Sequence, residues 1–291
     1  MNNGCLREIP SLRNYEYEIV CGAPQTKLPD SYILPDDRLP KIRNQGNIGA
    51  CVAFACVEIM EVLNRIEFGT DKTFSAGFFY GYNRDDGENI VGMYPSKALK
   101  HFQETGSVPT IVFDELKEMP EMKELVRGRK GLAEIAKKYR IKGYTSIPSP
   151  QSNVKKVKQA IYQTRYPLLA ISNTYFGGSH AIILIGYEKD GFIIQNSWGE
   201  NWGENGRKKV PYDAINYVYV LTDEVFEMKF ADVDKSRWSY NAIKECVFNG
   251  VLKGVSETEF APEQPFTREQ AAQFAVNLLK KIDERLEMSK Q

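Results

Sequence analysis

The chain has 291 residues, enough for one large domain with a smaller one or for two ordinary domains. A hydrophobic fraction of 42% and an aromatic fraction of 12% are typical of a packed globular protein and exclude a wholly disordered chain. The 38 basic residues are balanced by 38 acidic residues, so the basic excess that a nucleic-acid-binding surface requires is missing. We therefore expect no nucleic-acid partner.

The cysteine and histidine content argues against a disulfide framework or a metal site. The five cysteines are scattered, odd in number and contain no C-x-x-C pair. The two histidines, His101 and His180, are too few for a typical four-ligand cage. We expect a chain that folds without disulfides and works without a metal or organic cofactor.

The N-terminal region carries no recognisable targeting signal. The first twenty residues lack the apolar core of a secretory signal peptide. The longest apolar runs, near residues 51–57 and 182–185, are far too short for a membrane span. Pro10, Gly22 and Pro24 interrupt the polar residues 1–27, which is typical of a poorly structured lead-in.

The first half of the chain is predicted to be mainly helical. Residues 51–68 are apolar and free of proline, and their apolar positions recur at three- and four-residue steps. They predict a largely buried helix that begins at or near Cys51 and ends at Gly69. Three further helices are predicted, over residues 96–103, 121–138 and 153–163. Asn153 is the predicted N-cap of the last of these.

After Pro167 the sequence changes to short apolar runs separated by glycine-rich or charged turns. L-L-A-I-S, A-I-I-L-I-G-Y and G-F-I-I-Q-N-S, all between residues 168 and 197, are typical of consecutive β-strands. Helices followed by strands predict an α+β protein in which the two parts are segregated.

The last sixty or so residues predict a helix–loop–helix module. Apolar residues on a helical period indicate its first helix: Trp238, Ile243, Cys246, Val247 and Val251. Thr267 and Gln270 form the T-x-x-Q capping box of a second helix, which runs to about Leu286. The sequence contains no second copy of this module.

Cys51 is the candidate nucleophile. The positive end of a helix dipole and the free backbone N–H groups of a first turn stabilise a thiolate. Gln45 stands six residues earlier, in I-R-N-Q-G-N-I-G-A-C-V-A-F. Gly46 and Gly49 permit a tight loop that brings its amide beside the Cys51 backbone N–H, and two such donors make an oxyanion hole. The alternative is that Cys51 is simply a small buried residue.

His180 and Asn196 are the candidate partners of that thiol. His180 lies at the mouth of a predicted strand that begins at Ala181, and Asn196 follows a later strand in Q-N-S-W-G-E-N-W-G. An asparagine carbonyl that accepts from the imidazole selects the tautomer whose other nitrogen faces the sulfur. Trp198 is placed to cover this contact. Taken singly, an edge histidine, a turn-forming asparagine and a core tryptophan explain these residues equally well.

Together these segments resemble the papain-like cysteine peptidases. N-Q-G-N-I-G-A-C-V-A-F is similar to the family's Q-G-x-C-G-S-C-W-A-F, and S-H-A-I-I-L-I-G-Y to its x-H-A-V-x-x-V-G-Y. I-I-Q-N-S-W-G-E-N-W-G-E-N-G is similar to its K-N-S-W-G-x-x-W-G-E-x-G. His180 and Asn196 follow Cys51 by 129 and 145 residues, and the family's known spacing is about 130–150. The resemblance covers residues 28–226 and implies an α+β fold with a helical lobe and a β-barrel lobe that meet at a cleft.

The resemblance also implies a role for each matching residue. Cys51 is the expected nucleophile, His180 the general base and acid, and Asn196 the residue that orients the imidazole. Gln45 is the expected oxyanion donor. The implied reaction is hydrolysis of a protein or peptide substrate through a thioester acyl-enzyme.

Substrate contacts are expected at four further positions: Gly92, Met93, Ser179 and Trp198. The sequence departs from the family pattern at three places. Ile48 replaces a cysteine that forms a disulfide in relatives, Val52 replaces a tryptophan beside the cleft, and Met93 replaces the second of two groove glycines. The substrate preference of relatives therefore does not transfer.

Residues 1–27 are much shorter than the usual inhibitory propeptide of this family. Because they include the apolar residues Leu12, Tyr15, Tyr17 and Ile19, we hypothesise that they act as a short pro-segment. The expected domains are this lead-in, a peptidase domain over residues 28–226 and a small all-helical module over residues 229–291.

The C-terminal module resembles an S-layer homology motif in its opening F-A-D-V, in Trp238 and in Thr267-Arg268-Glu269. The resemblance implies attachment to bacterial cell-wall polysaccharide, for which that family commonly uses three motifs together. A single copy is expected either to bind weakly or to bring three chains together. A module that only packs on the peptidase domain is the alternative.

We therefore interpret the sequence as that of a cysteine endopeptidase at a bacterial cell surface. Two other functions stay open: an amidase or transpeptidase that acts on cell-wall peptides, and a non-catalytic surface or virion protein with a degenerate peptidase fold. Without a visible signal peptide, a cytoplasmic or phage-associated location also stays open.

Overall fold

A computed structural model describes the chain over residues 4–7, 27–83, 92–117, 119, 121–147, 150–223, 228, 230–248 and 251–290. The chain forms two compact units. The first comprises Met1–Leu63 and Lys72–Glu224, and the second comprises Asn64–Asp71 and Val225–Gln291.

Six described helices begin in the first unit: α1 (Cys51–Phe68), α2 (Ala76–Asn83), α3 (Pro95–Glu104), α4 (Glu121–Gly128), α5 (Leu132–Ala136) and α6 (Val154–Thr164). Single 3-10 turns lie at Asp36–Arg38 and Tyr212–Ala214. The predicted helix over 51–68 is confirmed at both ends. It stops at Gly69, whose φ of 70° is left-handed and whose N–H donates to the Arg65 carbonyl at 2.8 Å.

Helix α1 is buried along most of its length. Every residue from Cys51 to Leu63 is at most 5% exposed, because most of its side chains are small or apolar on all faces. The exceptions are the buried acids Glu58 and Glu61. A helix enclosed in this way holds its first residue, Cys51, in a fixed position in the core.

Two helix predictions need correction. The predicted helix over 121–138 is broken into α4 and α5, because Gly131 has a φ of 83° and turns the chain between them. Asn153 occupies the N-cap position of α6, but its side chain makes no capping hydrogen bond. Helix α2 was not predicted.

The described strands form one antiparallel sheet: β1 (Tyr32–Ile33), β2 (Ile141–Ile147), β3 (Leu168–Ser172), β4 (His180–Tyr187), β5 (Gly191–Gln195), β6 (Arg207–Pro211) and β7 (Tyr217–Asp223). Their order is β2-β7-β3-β4-β5-β6, with β1 paired to β4. The three predicted strands are confirmed as β3, β4 and β5, and β4 begins one residue earlier than predicted, at His180. The predicted α+β class is confirmed.

The second unit contains α7 (Tyr240–Phe248) and α8 (Arg268–Lys290). The capping box of α8 is confirmed: the Thr267 N–H donates to Gln270 Oε1 at 2.9 Å, and the Gln270 N–H donates to Thr267 Oγ1 at 3.2 Å. Trp238 lies before α7 and is 93% exposed, so its inclusion in the helical period of that helix is wrong.

The second unit has few buried apolar side chains among its described residues, and polar contacts also stabilise it. The buried Lys244 ammonium lies 3.2 Å from a Glu67 carboxylate oxygen. The Asp232 carboxylate accepts hydrogen bonds from the backbone N–H groups of Phe260 and Ala261, at 2.9 and 2.6 Å, and the first of these contributes most to the lowered pKa of Asp232. In neither unit does a described helix combine the length and the apolar character that crossing a membrane requires.

Candidate active site

The Cys51 thiol is enclosed at the first turn of α1. Burial raises its pKa to about 11, while hydrogen bonds from backbone groups of Ala181, Gly4 and Val52 act in the opposite direction. Ala181 directly follows His180, so the thiol lies at the start of β4. Gly4 brings the N-terminal residues to the same sulfur atom.

His180 and Asn196 are in direct contact. The imidazole Nε2 lies 2.8 Å from Asn196 Oδ1, and both residues are fully buried. Because a carbonyl oxygen only accepts, this contact favours the tautomer with hydrogen on Nε2 and leaves Nδ1 as the basic nitrogen. Nδ1 has no hydrogen-bond partner among the described residues. Burial lowers the pKa of His180 to about 4, and the bond to Asn196 opposes that shift.

The sheet register explains why these two residues meet. β4 and β5 are antiparallel neighbours with Ile183 opposite Gln195, the last residue of β5. His180 begins β4 and Asn196 directly follows β5. Because the two strands are antiparallel, both residues lie at the same end of this strand pair. The Asn196 backbone N–H donates to the Gly206 carbonyl at 2.9 Å, which fixes the start of the following loop.

Two aromatic side chains pack against the imidazole, and a third packs against these two. The Trp198 ring centroid lies 4.6 Å from that of His180, and the Phe176 centroid lies at 5.3 Å. Trp202 packs edge-on against Trp198, with centroids 5.7 Å apart. Sequence reasoning placed Trp198 here but missed Phe176 and Trp202, although the repeated W-G in W-G-E-N-W-G was a signal for Trp202.

Gln45 is fixed on the loop before α1. Its Nε2 donates to the Ile48 carbonyl at 2.8 Å, and its Oε1 accepts from the Ser197 hydroxyl at 2.6 Å. The Gln45 backbone N–H also donates to the Ser197 carbonyl at 2.9 Å. An amide NH₂ has two hydrogens, so one stays available for a second acceptor. Ser197 is a further site residue that sequence reasoning missed.

A network of buried polar side chains also contacts the loop that carries Gln45. Arg43 lies 3.3 Å from Glu61, and Gln195 donates to the Pro40 carbonyl at 3.2 Å and to Glu58 at 3.4 Å. Burial, and next the neighbouring Glu61, raise the pKa of Glu58 to about 8. Glu58 is therefore protonated at neutral pH. This leaves Glu61 as the ionised carboxylate beside Arg43 and avoids two neighbouring buried negative charges.

The predicted substrate groove is occupied by the chain's own N-terminal residues. The Leu6 N–H donates to the Met93 carbonyl at 2.9 Å, and the Met93 N–H donates to the Gly4 carbonyl at 2.7 Å. These bonds form a parallel bridge between Cys5 and Met93, and both side chains are buried. We call residues 4–7 the N-terminal strap.

Glycines allow the strap to come this close. A β-carbon added at Gly4 would collide with the backbone carbonyl of Gly49, and one added at Gly92 would collide with the Gly4 carbonyl. Gly92 also has a φ of 118°, which side chains disfavour. At the far end, Arg7 donates to the Asn173 carbonyl at 3.1 Å.

One expectation about this region changes. Residues 4–7 were expected to belong to a poorly structured lead-in, but backbone pairing with Gly92-Met93 orders them. Residues 1–3 and 8–26, on which the rest of that expectation falls, lie outside the described residues. Ser179 is half-buried and donates to the Asn173 side chain at 3.4 Å, and its expected contact with substrate stays a prediction.

Comparison with known proteins identifies the class of this fold and site. Residues 29–226 match the model of the papain family cysteine proteases, and the chain belongs to that family. It is 26% identical to chymomexicain of Jacaratia mexicana over 182 residues, which cover 58% of this chain and 81% of the relative. It spans less than half of two further plant relatives, 40% and 47% of their lengths. Membership identifies the chain as a cysteine peptidase, a hydrolase.

The solved structures agree with this fold. Xylellain, a cysteine protease from Xylella fastidiosa, superposes with a TM-score of 0.61 at 21% identity, over 76% of this chain and 96% of its own. Residues 229–272 match the S-layer homology domain. A segment of 51 residues is 45% identical to the surface-layer 125 kDa protein of Lysinibacillus sphaericus, covering 18% of this chain and 4% of the relative.

Proposed function

We propose that this protein is a cysteine endopeptidase in which Cys51, His180 and Asn196 form the catalytic centre. The observation that supports it most is the 2.8 Å contact between His180 and Asn196, with the Cys51 thiol beside the next residue, Ala181. Loss of peptide hydrolysis when Cys51 is replaced by alanine tests the proposal.

The proposed reaction moves one proton between two side chains. Cys51 passes its proton to His180 Nδ1, and the resulting thiolate attacks the carbonyl carbon of the scissile peptide. The Cys51 backbone N–H and the Gln45 amide stabilise the oxyanion. His180 then protonates the leaving amine, and a water molecule that gives its proton to His180 hydrolyses the thioester. Trp198 and Phe176 cover the imidazole and keep bulk water from its bond to Asn196.

We further propose that the strap holds the enzyme latent. Gly4 hydrogen-bonds at the Cys51 thiol and Leu6 pairs with Met93, so the strap lies where a substrate backbone has to lie. In this state the thiol is protonated and the imidazole neutral at pH 7, because burial raises the first pKa and lowers the second. A neutral thiol is a poor nucleophile, so the strap suppresses both access and reactivity.

The C-terminal module suggests a bacterial cell surface, and we propose that it also brings chains together. Among the side chains of helix α8 that the structure describes, four large apolar ones are exposed: Val276, Leu278, Leu279 and Ile282. Three of them recur every third residue, and Leu279 is 57% exposed. Such a row on one helix is typical of a helix–helix contact. The wall-polysaccharide role is the alternative for this module.

Replacing Leu279 by glutamate is expected to lower the molar mass of the assembly, because a charge in a helix seam has to be desolvated. Light scattering coupled to size-exclusion chromatography measures it at several protein concentrations. Lys280→Gln, which changes the charge by the same amount beside the row, should leave the mass unchanged. A monomeric wild-type chain at all concentrations would exclude self-association and leave cell-wall binding as the module's role.

A second candidate function is hydrolysis of cell-wall peptides rather than proteins. The S-layer homology domain favours it, because that domain implies proximity to the cell wall. Release of amines from purified peptidoglycan, with denatured casein as the competing substrate, distinguishes the two.

A further inference from the structure

A cleft of about 650 Å³ lies in the first unit, apart from the proposed catalytic residues. Three segments line it: residues 27–30, the first turns of α6, and the turn between β4 and β5. None of Gln45, Cys51, His180 or Asn196 contributes to its lining. A volume of this size is in the range that small-molecule ligands occupy.

The lining of this cleft is strongly cationic. Four lysines and one acid contribute to it: Lys27, Lys155, Lys158, Lys189 and Asp30. The neighbouring acids Glu188 and Asp190 both bind Lys209 at 3.0 Å. Within the described part of the chain, no carboxylate lies in salt-bridge distance of the four lysines of the cleft. Among the described residues, Asp30 is therefore the acidic side chain that opposes the four ammonium groups in the lining, which leaves an excess of positive charge in the cleft.

Two of these lysines lie near the start of a helix, and Lys155 lies in its first turn, where the helix dipole adds to the positive potential. Lys155 and Lys158 lie at the beginning of α6, an 11-residue helix whose first turn contains no acidic residue. Cations at a helix N-terminus are unfavourable, because the helix dipole is positive there. A bound anion at this end of α6 would interact favourably with both the helix dipole and the lysine ammonium groups.

The side chain of Lys158 is held in place. Its Nζ lies 5.0 Å from the ring centroid of Tyr187 and 5.0 Å from that of Tyr212. Two aromatic faces restrict the lysine stem and keep the ammonium group at the cleft, which lowers the entropy lost when an anion binds. Lys27 and Lys189 are exposed and reach the cleft from other segments.

We propose that this cleft binds a compact ligand that carries two or more phosphate groups. Four lysines and Asp30 give the lining a net charge of 4 − 1 = 3, whereas a single phosphate carries about 1.5 to 2 negative charges at neutral pH. Lysine binds phosphate as a point charge, and helix N-termini bind phosphate through their free N–H groups.

The test is calorimetric titration of the full chain with inorganic triphosphate at low ionic strength. Binding to the wild-type chain is expected to be saturable, one to one, and roughly tenfold tighter or more than binding of orthophosphate. The double variant Lys155→Gln/Lys189→Gln should lose roughly tenfold or more in affinity. Both side chains are exposed, so the melting temperature without ligand should stay unchanged.

A matched control separates the cleft from general cationic attraction. Lys130→Gln/Lys142→Gln removes the same charge from exposed positions outside the cleft and should keep wild-type affinity within about twofold. An equal loss in the control, or less than about twofold loss in the cleft variant, would overturn the proposal. No saturable binding of triphosphate to the wild-type chain would also overturn it.

Discussion

Replacing Gly4 by leucine is expected to raise the rate of peptide hydrolysis by the full chain roughly thirtyfold. A side chain at residue 4 collides with the Gly49 carbonyl, so the strap has to leave the groove. Its two backbone hydrogen bonds with Met93 are then lost. At about 1 kcal/mol each, they correspond to roughly thirtyfold in the population of the open state.

The measurement is hydrolysis of denatured casein and of a dye-linked peptide library under reducing conditions. Gly128→Ala is the control, because a β-carbon there meets nothing within 4 Å and the rate should not change. If Gly4→Leu hydrolyses the same substrates no faster than the wild-type chain, the strap does not restrain the enzyme.

Replacing Cys51 by alanine, in the Gly4→Leu background, is expected to reduce hydrolysis by a thousandfold or more, because the attacking atom is removed. Cys56 provides the matched control. It lies on the same helix, is equally buried, and burial together with the Cys51 sulfur raises its pKa. Cys56→Ala removes a similar volume and should keep the rate within a few fold, at a modest cost in melting temperature.

The outcome for the two cysteines decides between the candidate functions. Hydrolysis that survives Cys51→Ala would remove Cys51 as the nucleophile. If peptidoglycan amines are released and casein is untouched, the wall-peptide function replaces the endopeptidase. A chain that hydrolyses neither substrate, even with Gly4→Leu, would favour the non-catalytic surface protein.

The parts of the fold that could be predicted from sequence are those with a local signal. Helix α1 was predicted at both ends from its apolar period and Gly69, and the α8 capping box from Thr267 and Gln270. β3, β4 and β5 were visible as short apolar runs between turns. The break at Gly131 was missed because one glycine within a helical pattern is compatible with either a continuous or a broken helix.

The candidate site also combines residues that a sequence motif predicts with contacts that no local sequence pattern predicts. Cys51, His180, Asn196 and Gln45 stand in sequence motifs, so they could be proposed before their contacts were known. The strap could not be predicted, because Cys5 pairs with Met93 across 88 positions through backbone atoms alone. No side-chain pattern specifies such a pairing. The lysine cleft is likewise assembled from three separate segments.

Alkylation tests, without knowledge of the substrate, whether Cys51 is a nucleophile that the strap holds unreactive. Iodoacetamide is added to the folded full chain from pH 5 to 9, and mass spectrometry measures the rate at each cysteine. With a thiol pKa of about 11, alkylation of Cys51 in the wild-type chain should be slow and rise about tenfold per pH unit.

In the Gly4→Leu chain, Cys51 should react much faster than Cys56 and with little dependence on pH around neutrality. Exposure to water removes the desolvation that raises the thiol pKa, and an ion pair with protonated His180 at the N-terminus of α1 then lowers that pKa below neutrality. Equal rates at Cys51 and Cys56 in the Gly4→Leu chain, or a fast and pH-independent reaction in the wild-type chain, would contradict the account.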